Sequence, residues 1–369
     1  MIYWICLFVV VAFILKKYKN CNEQRGRNRY LVVLILILSY FAGFRDGLGM
    51  DYTANADLCS RESFYFGSEF LNEPLFLQLT NFCYKTEYSA VILFLICATI
   101  TITATMNVYS KSDNFPLAAM IFVLYTGLYL QSFNIMRQFV AASIILFGAS
   151  FMFQERSRKN VIIYILCLLV AFLFHKSSLV MLLVIPLFTE SLNRLMIIVA
   201  IVVSFLIPTS IVLRLDSVLK ILDMLDYTTY LNYSDSGWSK FSMTNIFLHS
   251  LLIPFLLYKN KIEALGNKKE IFVLIKLFVC FLVCNNLATS GLTISYRLAT
   301  YFVIFFPLLM TKLPQIINRK MAYSWIFIPM IILMGTRLQS GDRLTVPNRI
   351  LPPNSIYDAN YRPYVNPLF

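Results

Sequence analysis

The apolar residues of this chain form long runs that are separated by short polar segments. Twelve runs, with approximate ends, lie at 2–15, 30–44, 89–109, 115–132, 138–153, 160–175, 178–188, 194–213, 241–258, 271–288, 298–311 and 323–335. A helix of about 18 to 20 apolar residues crosses the hydrocarbon core of a bilayer. The pattern therefore predicts an all-α, polytopic integral membrane protein with about 12 transmembrane helices. We interpret residues 1–369 as a single transmembrane domain, in which the shorter runs tilt, include flanking residues or stop partway across.

Composition supports a membrane environment and argues against a soluble one. Apolar residues make up 59% of the chain and charged residues only 14%, and the mean hydropathy is +0.69. The net charge of +13 would also fit a nucleic-acid-binding protein. However, the basic residues form short clusters between apolar runs and do not follow one exposed face, so we predict no nucleic-acid partner.

The basic clusters give a consistent orientation. They are residues 16–29, 156–159, 259–269 and 312–320. If the first cluster is cytoplasmic, the alternation of helices places the other three on the same side, as the positive-inside rule requires. Both termini are then periplasmic, and the long aromatic segments 45–88, 214–240 and 336–369 face outward. Function is expected on that outer side.

The eight cysteines are scattered, and only Cys59 and Cys83 share an outward segment. A disulfide between them is left open. Because no cysteine or histidine set has the spacing of metal ligands, we predict no metal site.

Three arginines stand at the predicted outer ends of helices. Arg45 precedes the glycine-containing turn 46–52, Arg137 begins the fifth run, and Arg297 follows Tyr296 at the start of the eleventh. Arginine binds phosphate through two parallel hydrogen bonds, so three arginines at one level suit the pyrophosphate head group of a lipid. The alternative is that each one snorkels to the interface or pairs with Asp51 or Glu73.

His175 is the strongest acid–base candidate. It follows the apolar run 160–174 on the predicted outer side, where an imidazole can act as a general base near neutral pH. A structural hydrogen-bonding role is the alternative. Glu73 precedes Pro74 at the start of a predicted interfacial or re-entrant helix, where it would pair with an arginine or act as an acid. His249, inside the ninth run, is a weaker candidate, and Lys276 is expected to snorkel or pair within the bundle.

Several short motifs together resemble a known family. Phe44-Arg45, Gly49, Asp51-Tyr52, Glu73-Pro74, Phe133-Asn134, Arg137-Gln138 and Phe174-His175-Lys176-Ser177-Ser178 occur in this order, with Tyr296-Arg297 as a later echo. This order resembles the EpsG-type family of Wzy-like polysaccharide polymerases over roughly residues 30 to 190. Each motif is short, and their order on one predicted side of the membrane makes the resemblance specific.

The resemblance implies an O-antigen or related surface-polysaccharide polymerase in the bacterial inner membrane. Such an enzyme transfers a growing glycan from undecaprenyl pyrophosphate to the non-reducing end of a lipid-linked repeat unit. The expected partners are that lipid-linked oligosaccharide, membrane lipid and a chain-length regulator protein, and no cofactor is expected.

The same resemblance assigns roles to individual residues. Arg45, Arg137 and Arg297 would bind the pyrophosphate, and His175 would be the base, with Asp51 or Glu73 in reserve. Tyr52, Asn134 and Gln138 would contact the glycan, and the outer-loop aromatics Tyr227, Tyr230, Tyr233 and Trp238 would stack on sugars or form an interfacial belt. Asp46, directly after Arg45, adds a negative charge that does not fit an anion site.

Two other functions use similar residues. An O-antigen ligase would also need outer arginines and a histidine, but its large outer loop usually lies late in the chain, whereas segment 45–88 lies early. A flippase or other transporter would distribute charged residues along a central cavity through many helices. Here the isolated charges lie mainly at one face.

Overall fold

The protein is described by a computed structural model, which covers residues 2–49, 51–57, 59, 73–86, 88–154, 157–206, 241–289, 293–339 and 349–350. The predicted sugar-stacking residues Tyr227, Tyr230, Tyr233 and Trp238 lie outside these ranges. So does most of the predicted outward tail. Apart from one pair of two-residue strands, the elements of the described residues are helical.

Most of the described residues belong to helices. In chain order they are α1 (Ile2–Asn20), α2 (Gln24–Gly43), α3 (Tyr52–Asp57), α4 (Pro74–Tyr84), α5 (Ser89–Tyr109), α6 (Phe115–Leu124), α7 (Gln131–Asn134), α8 (Met136–Gln154), α9 (Arg158–Phe174), a 3₁₀ helix (Lys176–Leu187), α10 (Arg194–Leu206), α11 (Met243–Leu257), α12 (Lys259–Glu263), α13 (Lys268–Thr289), α14 (Thr293–Val303), α15 (Phe306–Ile316) and α16 (Arg319–Gln339).

The chain divides into two compact units. The first contains Met1–Phe147, Leu169–His175 and Met330–Phe369, and the second contains Gly148–Leu168 and Lys176–Pro329. The interpretation of residues 1–369 as one domain remains a prediction.

Local sequence signals explain where several helices begin. Asn114 caps α6 by accepting a hydrogen bond from the backbone N–H of Leu117, and Ser242 caps α11 by accepting one from Asn245. Pro74 occupies the first turn of α4, where the missing N–H of proline costs nothing. This helix is the one that the Glu73-Pro74 motif predicts.

In the first unit, α2 and α5 pack closely because Gly43 has no side chain. A Cβ atom at Gly43 would lie 2.9 Å from the Cα atom of Leu95. Beside this contact, an apolar cluster joins α3, α4, α5 and the start of α8 and includes Tyr52, Phe76 and Phe94. These elements carry the candidate site.

In the second unit, α13 packs against α10 and α14. Polar side chains within these helices pair with one another: Asn285 donates to Asn245 over 2.5 Å, and Asn286 donates to Ser204 over 3.0 Å. Such pairing is required because a polar group without a partner is costly in an apolar environment.

Membrane-spanning segments can be recognised by length and composition among the described helices. Three qualify, Ser89–Tyr109, Met136–Phe153 and Lys268–Thr289, and a fourth qualifies if Ser295–Val303 and Phe306–Ile316 form one span with a 54° bend. The protein is therefore a helical membrane protein. The prediction of twelve spans and the placement of both termini stay predictions.

Several predicted spans are shorter or less regular in the structure than the apolar pattern suggested. The run 115–132 contains a helix only to Leu124, and the run 178–188 forms a 3₁₀ helix. The run 298–311 is broken before Phe306-Pro307, because proline cannot donate the backbone hydrogen bond that would continue α14. Hydropathy alone does not report such breaks.

The outward tail was predicted to begin at residue 336, but α16 continues to Gln339. Beyond it, Arg349–Ile350 pairs as an antiparallel strand with Arg45–Asp46. The backbone of the tail thus returns to the first unit beside Arg45.

Candidate functional site

Glu73 joins two of the sequence-predicted site residues in the first unit. Its Oε1 atom lies 2.5 Å from Nδ1 of His175, and its Oε2 atom accepts a hydrogen bond from Nη1 of Arg137 at 2.6 Å. Glu73 precedes α4, Arg137 lies in the first turn of α8, and His175 follows α9. Three separate parts of the chain therefore meet at one carboxylate.

The environment of Glu73 favours its charged form. Burial by itself raises the pKa of this carboxyl group, but the hydrogen bond with His175 and the positive charge of Arg137 outweigh that effect and lower the pKa to about 2. Glu73 is therefore a carboxylate at neutral pH. It is better suited to holding His175 in place than to donating a proton.

Arg137 remains accessible, although it is paired. Its side chain is 25% exposed, compared with 4% for Glu73, and its guanidinium lies 5.2 Å from the ring centre of Phe76. Because a guanidinium carries five N–H donors, one bond to Glu73 does not exhaust its capacity. An anion can reach this side chain.

Arg45 is placed differently. It is 2% exposed, and it donates from Nε to the carbonyl of Leu48 at 3.2 Å, from Nη2 to the carbonyl of Phe133 at 3.0 Å, and from Nη1 to the carbonyl of Ala42. The guanidinium also lies 4.2 Å from the ring centre of Phe94. Burial lowers the pKa of Arg45 to about 10, so it remains charged near neutral pH.

The turn after Arg45 requires its glycines. Gly47 and Gly49 have φ angles of 66° and 112°, which residues other than glycine rarely adopt. This conformation brings the carbonyl of Leu48 to the Arg45 guanidinium and places Gly49 beside the backbone of Phe133. The described part of the glycine-containing turn thus directs a carbonyl to the arginine.

Asn134 links this turn to the start of α8. Its side-chain oxygen accepts a hydrogen bond from the backbone N–H of Asp51 at 2.8 Å, and its carbonyl accepts one from the Asn55 side chain at 3.3 Å. The Phe44–Tyr52 and Phe133–Gln138 motifs are therefore neighbours in space, as a shared site requires.

The residues that were predicted to contact a glycan are largely enclosed. Tyr52 is 5% exposed and packs against Phe94, with ring centres 5.3 Å apart, and Gln138 is 2% exposed. Asp51 is partly buried at the start of α3. The glycan-binding roles of Tyr52, Asn134 and Gln138, and a reserve catalytic role for Asp51, stay predictions.

Arg297 belongs to α14 of the second unit, whereas Arg45 and Arg137 belong to the first. The convergence of all three arginines on one pyrophosphate therefore stays a prediction.

His249 and Lys276 also belong to the second unit. His249 Nδ1 lies 2.8 Å from the carbonyl of Asn245, and Lys276 donates to Thr189 and Ser191, which confirms that Lys276 pairs within the bundle.

Cys59 and Cys83 lie in the same apolar cluster of the first unit, and both are buried. Both are free thiols, and no disulfide joins them. Among the described residues, no group of three or more His, Cys, Asp or Glu side chains is arranged to hold a metal ion.

Sequence reasoning underestimated Glu73 and missed two supporting residues. Glu73 was proposed only as a reserve base, as an acid or as the partner of an arginine, and neither Asn55 nor Phe94 was proposed. The signal available for Glu73 was its place directly before Pro74, at the start of a predicted interfacial helix. Asn55 and Phe94 carry no comparable signal, because only the folded chain shows what they contact.

The chain matches the family model of the EpsG family over residues 28–339, which include Glu73, Arg137 and His175, hereafter the Glu73 cluster. No curated protein and no solved structure matches it.

Proposed function

We propose, from the premise that this chain belongs to the EpsG family, that it polymerises a bacterial surface polysaccharide such as O-antigen. The reaction would transfer a growing glycan from undecaprenyl pyrophosphate to the non-reducing end of a lipid-linked repeat unit. It would take place at the periplasmic face of the inner membrane. The observation that carries this proposal is the Glu73 carboxylate, which is bonded to both His175 and Arg137.

His175 would act as the general base. The Glu73 contact uses Nδ1, so the buried Nε2 would be the nitrogen that exchanges a proton with the acceptor hydroxyl. As the hydroxyl loses its proton to His175, its oxygen forms a bond to the anomeric carbon. The Glu73 carboxylate then stabilises the imidazolium that results, as the carboxylate of a catalytic triad does.

Arg137 would stabilise the leaving group. The bond between the anomeric carbon and the pyrophosphate oxygen breaks, and its electron pair stays on the pyrophosphate, which gains negative charge in the transition state. A fixed guanidinium in a site with little water stabilises that charge. Of the two candidate arginines in the first unit, Arg137 is the accessible one, whereas the donors of Arg45 point to backbone carbonyls.

Arg45 would therefore be a positioning residue. It ties the turn 45–49 to the carbonyl of Phe133, four residues before Arg137. Loss of this contact would displace the start of α8 and with it the Arg137 guanidinium. This proposal replaces direct pyrophosphate binding by Arg45 and leaves that role to Arg137, with Arg297 as a further candidate.

The polymerase is preferred over a flippase because the Glu73 cluster combines a base, an orienting carboxylate and an anion-binding group. A transporter needs charged groups along its path, but it does not need a base that is held in one orientation. An O-antigen ligase would use similar chemistry with a different acceptor. Genetics distinguishes the three functions.

The test is the surface-polysaccharide ladder of a deletion strain of the source bacterium. The strain would be complemented with wild type, His175→Ala or Arg137→Ala, and the amount of membrane protein would be checked by blot. A polymerase defect should leave single repeat units on the surface. A flippase defect would leave no surface units, and a ligase defect would leave polymer attached to the lipid carrier.

His249→Ala and Arg158→Ala are matched controls, since they remove a histidine and an arginine outside the Glu73 cluster. Both should restore the full ladder. A normal ladder with well-expressed His175→Ala and Arg137→Ala would refute the catalytic assignment, and the absence of surface units in the deletion strain would refute the polymerase.

A further inference from the structure

A cavity of about 430 Å³ opens on the second unit, whereas the residues assigned to catalysis belong to the first. Residues 191–195 line one side, at the start of α10, and Lys259 and Asn260 line the other, at the start of α12. Its lining contains two cations, three further polar residues and no acidic residue. The cavity therefore has the charge that an anion requires.

Arg194 is the central group of this lining. Its Nε atom is buried and has no hydrogen-bond partner, and Arg194 forms no ion pair in the described part of the chain. A buried donor without a partner is costly. The rest of the Arg194 side chain is partly exposed and lines the cavity, where its other N–H donors can meet an anion. Lys259, in contrast, is held by Glu263 at 3.3 Å.

The backbone at the cavity adds further donors. Arg194 begins α10, a helix of 13 residues, and the first N–H groups of a helix favour anions. Asn193 accepts a hydrogen bond from only one of them, the N–H of Met196, at 3.2 Å.

The rim of the cavity is fixed before any ligand arrives. Lys276 donates to the carbonyls of Thr189 and Ser191 at 2.9 and 3.2 Å, which holds the segment that leads into α10. On the other side, Ile262 of α12 is fully buried. A preorganised rim reduces the conformational entropy that binding would cost.

Exposed apolar side chains adjoin the polar lining. Leu195 and Met196 of α10 are 70% and 68% exposed, and Leu257, at the end of α11 next to Lys259, is 68% exposed. A polar, cationic cavity beside apolar side chains matches an amphiphile with an anionic head. It does not match a small hydrophilic anion, which would gain nothing from the apolar flank.

We propose that this cavity binds the phosphodiester head group of an anionic phospholipid, with its acyl chains along Leu195, Met196 and Leu257. Arg194 and the first turn of α10 contact the phosphate, and Lys259 adds the second positive charge. By the positive-inside rule, the two segments that line the cavity are cytoplasmic. Basic residues there can contact the anionic head groups of the cytoplasmic leaflet. The site is independent of the proposed polymerase reaction.

The test measures lipid binding to the delipidated, full-length protein in detergent by native mass spectrometry. Phosphatidylglycerol is compared with phosphatidylethanolamine of the same acyl chains, for wild type and for the double variant Arg194→Gln/Lys259→Gln. We expect a preference for phosphatidylglycerol in wild type and about tenfold weaker binding in the double variant, the effect of roughly 1.4 kcal/mol. Unchanged thermal stability would show that the variant is folded.

The matched control is Arg158→Gln/Lys159→Gln, which removes the same charge from exposed positions at the start of α9. It should retain wild-type binding. Equal weakening in this control would mean a nonspecific effect of charge, and equal binding of the two lipids would show that the head group is not recognised. Displacement of phosphatidylglycerol by millimolar inorganic phosphate would indicate a site for a free anion. Each of these three results overturns the proposal.

Discussion

Glu73 Oε1 lies 2.5 Å from His175 Nδ1, although 102 positions separate the two residues in the chain. The second oxygen of Glu73 bonds Arg137, so one buried carboxylate determines the orientation of both groups. Most of the expectations below follow from this arrangement and from the Arg45 contacts that support it.

Replacement of Glu73 by Gln should lower polymerisation by roughly 10²-fold or more, because the imidazole loses the charge that orients it and stabilises its protonated form. Glu73→Gln keeps the size of the side chain. Chain extension from a purified lipid-linked repeat unit is the measurement. The double variant Glu73→Gln/His175→Gln should be about as slow as His175→Gln alone, since residues that act as a unit are not additive. Multiplicative losses would mean that the two residues act independently.

Arg137→Lys should retain part of the activity that Arg137→Ala loses. Lysine keeps the positive charge, but it cannot form two parallel hydrogen bonds with a phosphate or keep the geometry with Glu73. We expect the order wild type, Lys, Ala in the rate of chain extension at saturating donor. Equal rates for Lys and Ala would argue that shape and not charge matters at this position.

Arg45 is expected to matter for stability more than for contact with substrate. Arg45→Met leaves the carbonyls of Leu48 and Phe133 without their donor and should cost about 2 to 4 kcal/mol. The measurement is the apparent Tm of the detergent-solubilised protein, with Arg158→Met, at an exposed position, as the control. A wild-type Tm for Arg45→Met would contradict the positioning role.

Gly49→Ala tests the turn around Arg45. At a φ of 112°, alanine is strained, so the substitution should destabilise the protein by about 1 to 3 kcal/mol and disturb the adjacent Phe133 backbone. Gly335→Ala is the matched control. A Cβ at Gly335 meets no atom within 4 Å, and alanine favours the helix there. The Tm of Gly335→Ala should therefore equal or exceed that of wild type. Equal effects at both positions would refute the argument.

The stability contributed by Glu73 should depend on pH in a defined direction. Its pKa is about 2 in the folded protein and 4.5 ordinarily, so its ionisation stabilises the fold above pH 4.5. That contribution is lost as the pH falls from 4.5 towards 2. The Tm difference between wild type and Glu73→Gln should therefore be larger at about pH 7 than at about pH 3.5. A constant difference would show that Glu73 is not held in its charged form.

The sequence by itself determined that the chain is a helical membrane protein, because the bilayer leaves a strong periodic record in apolar runs. It also identified the family and the residues Glu73, Arg137 and His175, because their short motifs occur in the order that resembles this family. Hydropathy did not determine the number and regularity of the spans: it averages over a window and does not register the break before Pro307 or the 3₁₀ helix at Lys176–Leu187. Only the tertiary structure distinguished the roles of the two candidate arginines of the first unit, because the burial of a side chain and the direction of its donors depend on neighbours that are distant in sequence. Arg45 is enclosed by the carbonyls of Leu48 and Phe133, whereas Arg137 stays a quarter exposed beside Glu73.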